Sequence, residues 1–323
     1  MWKRSSSVNK LLGLLLALAL TALALAGCGA GGQESGTEPA VIFTDALGRT
    51  VTLPEKPART AALLGSFADV WQLAGGTVCA AASDAWVDFG LELDGAVNLG
   101  GAHSPSLEAL LSANPDFVIA SASTAADVAL KETLETAGIP VAYFEVTSFE
   151  DYLAMLEVCT GITGRQDLLE QNGYRLREQI ETVRAACREA SLPEEERRVL
   201  VVRASSGSVK AKGSSGTVLG EMLSDLGCIN IADSDKTLLE NLSAESVIRQ
   251  EPRRIFVVTM GEDTEKAREN FRRMLEENPA WGTLEAVREG RIYFMDKQLY
   301  NLKPNARWAE SYEKLSDILL ENQ

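Results

Sequence analysis

Apolar positions along the chain fall into two alternating kinds of segment. Short apolar runs bounded by glycine, proline or charge predict buried strands, and longer runs with apolar residues three or four positions apart predict amphipathic helices. The predicted strands are 59–64, 117–121 and 141–146 in the first half and 198–204, 255–260 and 291–296 in the second. Helices predicted over segments such as 148–162 and 263–278 separate them. This alternation predicts an α/β fold with mainly parallel sheets.

One helix–turn–strand unit occurs once in each half. The segments "SLEALLSANPDFVIAS" (106–121) and "SAESVIRQEPRRIFVV" (243–258) share a Ser, a Glu two residues later and a Pro seven residues after the Glu. Each Ser can cap a helix N-terminus, and each Glu then lies in the first turn, where a carboxylate is favoured. Glu108 and Glu245 are therefore equivalent residues, although on this evidence they can equally be only helix-favouring charges.

A long amphipathic segment separates the two halves. Leu169, Leu176, Ile180 and Val183 recur at helical spacing within residues 166–190, and one helix there would be about 37 Å long. This predicts two Rossmann-like lobes joined by a single long helix, with a cleft between them. The predicted ranges are 41–163 for the N-terminal lobe, 164–192 for the linking helix and 193–323 for the C-terminal lobe.

The N-terminus carries an export signal. Lys3 and Arg4 precede an apolar run over 11–26, which is shorter than the roughly 20 residues of a membrane span and is typical of a signal peptide. The ending "LAGC" resembles a bacterial lipobox, so we expect a signal peptide at 1–27, lipidation of Cys28 and a flexible tether over 28–40. The protein would then be extracytoplasmic and held at the membrane only by its lipid. An ordinary secreted protein with a cysteine at this position is the alternative.

Charge and cysteine content exclude several classes of protein. A net charge of −15 argues against a nucleic-acid-binding protein and against a basic membrane-binding face. The other cysteines have no CxxC spacing, which argues against a zinc knuckle. The sequence is consistent both with disulfides and with buried free thiols at these four positions, which are Cys79, Cys159, Cys187 and Cys228.

The chain resembles the ABC-transporter substrate-binding lipoproteins for iron complexes and cobalamin, the class III periplasmic binding proteins. The motifs that carry the resemblance include "FTDALGRTVTLPEKPART", "SPSLEALLSANPDFVIAS", "VLGEMLSDLGCINIAD", "NPAWGTLEAVREGRIYFMD" and "LKPNARWAE". The resemblance implies a monomer that captures haem or a ferric siderophore between its lobes and delivers it to a permease and its ATPase. It also implies that Glu108 and Glu245 dock onto permease arginines. The protein would need no cofactor and would catalyse no reaction.

The only histidine of the chain, His103, precedes the first capped helix. Some haem receptors of the resembled family carry an axial iron ligand at this position and a second one on the other lobe. Met260, at the end of a predicted strand, is the matching residue, and a His/Met pair is one way to hold haem iron. The alternatives are an exposed or structural histidine and a methionine that belongs to the core.

Further residues are candidates for the wall of the cleft. Cations near the Gly/Ser-rich segment 201–216 and near the C-terminus can bind anionic groups of a ligand, and aromatic residues can form apolar walls. A solvated basic loop and core aromatics are the alternatives. The candidate cations are Arg203, Lys210, Lys212 and Arg307, and the candidate aromatics are Trp86, Tyr143 and Tyr300.

Other functions fit the sequence less well. A cobalamin or corrinoid receptor of the same family remains the main alternative. A receptor for bare zinc is disfavoured because the chain has one histidine. An extracytoplasmic hydrolase is the distant alternative, because the chain has no GxSxG motif and His103 has no visible partner.

Overall fold

Two five-stranded sheets organise the protein, whose computed structural model describes residues 41–261 and 263–321. The strands of the first half are β1 (Val41–Thr44), β2 (Thr50–Leu53), β3 (Thr60–Ala62), β4 (Val78–Ala81), β5 (Val97–Asn98), β6 (Phe117–Ser121) and β7 (Val141–Phe144). Those of the second half are β8 (Arg198–Ala204), β9 (Val209–Lys212), β10 (Ile229–Asn230), β11 (Arg254–Thr259) and β12 (Ile292–Phe294). The predicted signal peptide, tether and lipidated Cys28 lie outside the described residues.

Both sheets are mainly parallel. The first has the order β5-β4-β3-β6-β7 with every neighbouring pair parallel, and β1 and β2 form a separate antiparallel pair. The second has the order β10-β8-β11-β12, all parallel. On one edge of β8, β10 pairs with its first residues and the antiparallel β9 with its last four. These topologies confirm the predicted α/β fold.

Helices cover the sheets and connect their strands. In the first half they are α1 (Gly65–Leu73), α2 (Asp84–Val87), α3 (Leu107–Ser112), α4 (Ala125–Ala129), α5 (Lys131–Thr136) and α6 (Phe149–Thr163). Between the sheets lie α7 (Gln166–Leu169) and α8 (Arg175–Ala190). In the second half they are α9 (Glu194–Arg197), α10 (Val218–Asp225), α11 (Lys236–Glu240), α12 (Ala244–Gln250), α13 (Thr264–Glu277), α14 (Glu285–Arg288), α15 (Lys297–Tyr300) and α16 (Trp308–Leu320).

A single helical rod joins the two sheets, as predicted, but it contains a π-helical turn at Glu170–Tyr174 between α7 and α8. This turn is fixed by contacts with the first lobe. The Tyr152 hydroxyl donates to the Asn172 carbonyl at 2.7 Å, and the Asn172 side chain donates to the Leu73 carbonyl at 2.9 Å. Gly173 has no side chain to collide with Leu153, where a Cβ would lie 2.7 Å from Cδ1. The rod is therefore docked onto the first lobe.

One hydrophobic core extends across both lobes. It combines side chains from the first sheet, from α6 and α8, from the second sheet and from α16. Trp308 of α16 is fully buried, with its ring centroid 6.2 Å from that of Phe149 and 6.4 Å from that of Tyr152. The C-terminal helix therefore packs against a helix of the first lobe. Since the described residues form one compact unit, the lobe boundaries predicted at 163 and 193 stay predictions.

Both repeated units have the predicted local structure. The Ser106 hydroxyl accepts from the Ala109 backbone N–H at 3.2 Å, and the Ser243 hydroxyl accepts from that of Ser246 at 3.4 Å. The short helices α3 and α12 follow, and each leads into a central strand of its sheet. Among the described helices, none has the length and apolar character that crossing a membrane requires.

Candidate functional site

A cavity of about 570 Å³ lies between the lobes. The first lobe lines it with Ser66 of α1 and with residues that follow β6, and the second lobe lines it with Arg203 near the end of β8. Met260, directly after β11, and Lys303, after α15, complete the second wall. The cavity thus lies where strands of both sheets reach their carboxyl ends, which is where α/β proteins bind ligands.

His103 and Met260 line this cavity from opposite lobes. His103 is exposed, and Met260 keeps 44% of its surface exposed, so the interpretation of Met260 as a core residue was wrong. An imidazole and a thioether in one cleft are two side chains that can approach the same ligand. Their role as iron ligands stays a prediction.

Arg203 and Lys303 place two cations in the same cavity. Arg203 Nε is buried and has no hydrogen-bond partner in the described chain. Burial lowers the pKa of Arg203, and it also lowers the pKa of Lys303, which Asp84 and Glu145 partly oppose. Burial thus disfavours the charged forms of both side chains, and an anion in the cavity would stabilise those forms.

Lys210 and Lys212 lie beside the cavity and do not line it. In the antiparallel pairing of β8 with β9, Arg203 is opposite Lys210 and Val201 is opposite Lys212. The two lysines therefore share one face of the sheet with Arg203. Burial, Arg203 and Lys210 together lower the pKa of Lys212. The two lysines thus extend the positive charge of Arg203 along this face of the sheet.

Carboxylates on the first lobe complete the charge pattern. Asp88 forms an ion pair across the cleft with Lys297 at 2.8 Å. Asp84 accepts the Gly65 backbone N–H at 2.9 Å, and burial raises the pKa of its carboxyl group. Asn305 makes a second bridge across the lobes, because its side chain donates to the Ser66 carbonyl at 2.9 Å. The Asp88–Lys297 and Asn305–Ser66 contacts therefore connect the two lobes.

Three more of the predicted wall residues, Tyr143, Tyr300 and Arg307, do not line the cavity. Tyr143 is fully buried and its hydroxyl donates to the Asp127 carbonyl at 3.1 Å, so it belongs to the core. Tyr300 is also buried, with its hydroxyl donating to the Ser311 carbonyl at 2.9 Å. Arg307 is exposed and pairs with Glu310 at 2.6 Å, outside the cavity. These three predictions were wrong because the sequence does not show which face a side chain takes.

Trp86 is half-buried on α2 and packs against a small cluster of alanines and leucines, so it does not line the cavity. Phe89, three positions later, lines the cavity instead. Trp86 was predicted as an apolar wall of the ligand site, and that prediction was wrong.

The remaining sequence candidates lie outside the cleft. Glu108 on α3 and Glu245 on α12 are both exposed at the first turn of their helices. The four cysteines of the described chain are free thiols. Within residues 41–261 and 263–321, three or more His, Cys, Asp or Glu side chains nowhere form a cluster that could hold a metal ion.

Sequence reasoning missed several residues that line the cavity. Lys297 and Lys303 follow β12, Asp84 begins the short helix α2 after β4, and Asp88 directly follows that helix. The available signal was their position after predicted parallel strands, because loops at the carboxyl edge of a sheet form ligand sites. That signal identifies the loops, but the packing of the lobes decides which side chains face the cavity.

Comparison with known proteins gives consistent results. A family model described as "Periplasmic binding protein" matches residues 61–299. The Fe(3+)-citrate-binding protein YfmC of Bacillus subtilis (strain 168) is 26% identical over 326 aligned residues, covering 96% of this chain and 96% of the relative.

Solved structures share the fold. Staphylococcus aureus SirA, complexed with staphyloferrin B, matches with a TM-score of 0.65 at 20% identity, over 87% of this chain and 97% of its own. The periplasmic heme-binding protein RhuT from Roseiflexus sp. RS-1 matches with a TM-score of 0.65 at 21% identity, over 81% of this chain and 98% of its own.

Proposed function

Because this chain belongs to the periplasmic binding protein family, we propose that it is the solute-binding component of an ABC importer that captures a ferric complex and delivers it to a permease. The observation that carries the proposal is the cavity lined from both lobes, since a ligand held there would bridge the walls. YfmC, SirA and RhuT bear names that refer to ferric citrate, a siderophore and haem, which supports an iron complex as the ligand. The protein would bind and release its ligand without chemistry, and ATP would be used by the partner subunits.

The proposed partner surface consists of Glu108 and Glu245. Both are exposed, and each lies at the first turn of a capped helix on a different lobe. Exposed carboxylates in these positions can form charge-assisted pairs with arginines of a permease. Because the two lobes each contribute one, binding at both sites would depend on the arrangement of the lobes. Lipidation at Cys28 would keep the protein at the membrane beside this partner.

Uptake of radioactive iron in cells tests the proposal. The double variant Glu108→Ala with Glu245→Ala should abolish uptake while the purified protein binds its ligand with unchanged affinity. The matched control replaces Glu55 and Glu240, an exposed glutamate from each half, with Ala and should transport normally. Normal uptake by the Glu108/Glu245 double variant would refute the docking role. Turnover of a ligand would instead favour an enzyme.

Haem is a second candidate ligand, because His103 and Met260 line one cavity from opposite lobes. If the pair holds haem iron, titration with haem should give a saturable low-spin visible spectrum. His103→Ala and Met260→Ala should each change that spectrum. Saturable binding with the same spectrum in both variants would exclude axial ligation by this pair. Binding of cobalamin in preference to any ferric complex would move the assignment to the corrinoid receptors.

A further inference from the structure

Two cations of the second lobe face the cavity without an ion-pair partner. In the part of the chain that the structure describes, neither Arg203 nor Lys303 forms an ion pair, although both line the cavity. Arg203 Nε is buried without an acceptor there. A charge removed from water without a partner is unfavourable, so such groups mark sites where a partner binds.

The nearby carboxylates do not supply that partner. Asp88 is engaged with Lys297 at 2.8 Å, and Asp84 accepts the Gly65 backbone N–H through Oδ2 at 2.9 Å. Among the described residues, Asp84 Oδ1 is buried without a hydrogen-bond partner and forms no ion pair with either cation. Asp84 and Glu145 act on Lys303 only through space. On the other side, Lys210 and Lys212 lie on the same sheet face as Arg203 and add positive charge. The second wall of the cavity is therefore cationic.

The opposite wall is polar and has little aromatic surface. Ser66, Ser121, Ser123 and Thr124 bring hydroxyl groups to it, and the hydroxyl oxygens of Ser121 and Ser123 lie 3.1 Å apart. Hydroxyl groups can donate to carboxylate oxygens. Phe89 is the one Phe, Tyr or Trp residue in the cavity wall within the described ranges. A large flat macrocycle would find few aromatic partners here, whereas a compact polar chelate would find donors on both sides.

We propose that this cavity selects polyanionic ferric chelates whose ligand groups are carboxylates, and that Arg203 and Lys303 are the residues that set this selectivity. The inference rests on the proposed function and names the class of complex that it transports. The protein recognises the carboxylate oxygens of the chelator. Arg203 can bind one carboxylate in a bidentate contact, and Lys303 acts as a point charge. The iron itself needs no protein ligand in this mode.

Isothermal titration of the full chain in detergent with four probes tests the inference. The probes are ferric citrate, gallium citrate, an uncharged ferric trihydroxamate and haem. We expect saturable binding of both citrate complexes with similar affinity, because charge and shape are recognised and the metal is not. The uncharged trihydroxamate should bind at least about tenfold more weakly, since it leaves both cations unpartnered.

Variants assign the effect to the two residues. Arg203→Gln and Lys303→Gln should each weaken ferric citrate binding by about ten- to a hundredfold, as expected for a lost hydrogen bond to a charged group. Lys303→Arg should keep most of the affinity. Lys236→Gln, which removes an exposed lysine on α11, is the charge-matched control and should bind normally. The Gln variants should melt at or above the temperature of the parent protein, because they remove charges that form no ion pair.

Two results would overturn the inference and leave the proposed function intact. One is tighter binding of the uncharged trihydroxamate or of haem than of the citrate complexes. The other is ferric citrate binding that neither Gln substitution changes. If no ferric complex and no haem binds, the proposed function fails, and the inference fails with it. Because the comparison among probes uses the unmodified protein, the test does not depend on the folding of any variant.

Discussion

Asp127 makes the stability of the protein depend on pH. Its carboxyl group is fully buried behind Ser121, whose backbone N–H donates to Oδ2 at 2.8 Å, while Oδ1 has no partner among the described residues. Burial, with a contribution from the charge of Asp84, raises the pKa of Asp127 to about 7. In an unfolded chain an aspartate has a pKa of about 3.9. The folded protein therefore favours the protonated form.

The sign of the effect follows from this difference. Because the folded pKa is the higher one, the stabilising contribution is complete below about pH 4 and is lost as the pH rises to about 7. The two pKa values differ by enough to change the free energy of unfolding by about 4 kcal/mol in total, at 1.36 kcal/mol for each pKa unit. About 2–3 kcal/mol of that loss falls between pH 5 and pH 8.

Asp127→Asn isolates this contribution. Asparagine keeps an acceptor for the Ser121 N–H but cannot ionise. Urea unfolding at pH 5 and pH 8 should show that the parent protein loses about 2–3 kcal/mol relative to the variant over this interval. Asp94→Asn, which removes an exposed carboxylate, is the control and should not produce this difference. If the stabilities of the parent and Asp127→Asn change in parallel with pH, the argument from burial is wrong.

Three further predictions concern stability measured by urea unfolding. Trp308→Ala should destabilise the protein by about 3–5 kcal/mol, because it leaves a cavity where the fully buried indole packs against Phe149. A loss under about 1 kcal/mol would contradict the shared core. Lys297→Met should change stability by under about 1 kcal/mol, since its ion pair with Asp88 is partly exposed. A loss above about 2 kcal/mol would contradict the small contribution expected for this ion pair. Ser106→Ala should cost about 1 kcal/mol through its lost helix cap, and an unchanged stability would show that the cap contributes nothing.

Local patterns were sufficient to predict most of the fold. The predicted strand over 117–121 coincides with β6, and the predicted helix over 263–278 differs from α13 by one residue at each end. These elements are specified by their own apolar spacing and by caps within a few residues. The π-helical turn in the linking rod was not predicted, because it depends on hydrogen bonds to Tyr152 and Leu73, which are distant in sequence.

The site was less predictable than the fold. His103, Met260 and Arg203 were expected near a cleft because they flank predicted parallel strands or a capped helix, and all three line the cavity. Their roles in binding stay predictions. Tyr143 was misplaced because β7 is buried on both faces, so alternation along the strand carries no information. Lys303 was overlooked because its loop reaches the cavity only through the packing of the second lobe against the first.

The packing of Trp308 on α6 has a consequence for the order in which the protein can fold. A chain made from its N-terminus contains all strands of the first lobe long before residue 308 is synthesised. Until α16 arrives, the faces of Phe149 and Tyr152 that it covers remain open to solvent. The first lobe therefore completes this part of its core only after almost the whole chain has been synthesised. The helix that covers these two rings last is also the one that holds the two halves of the protein together.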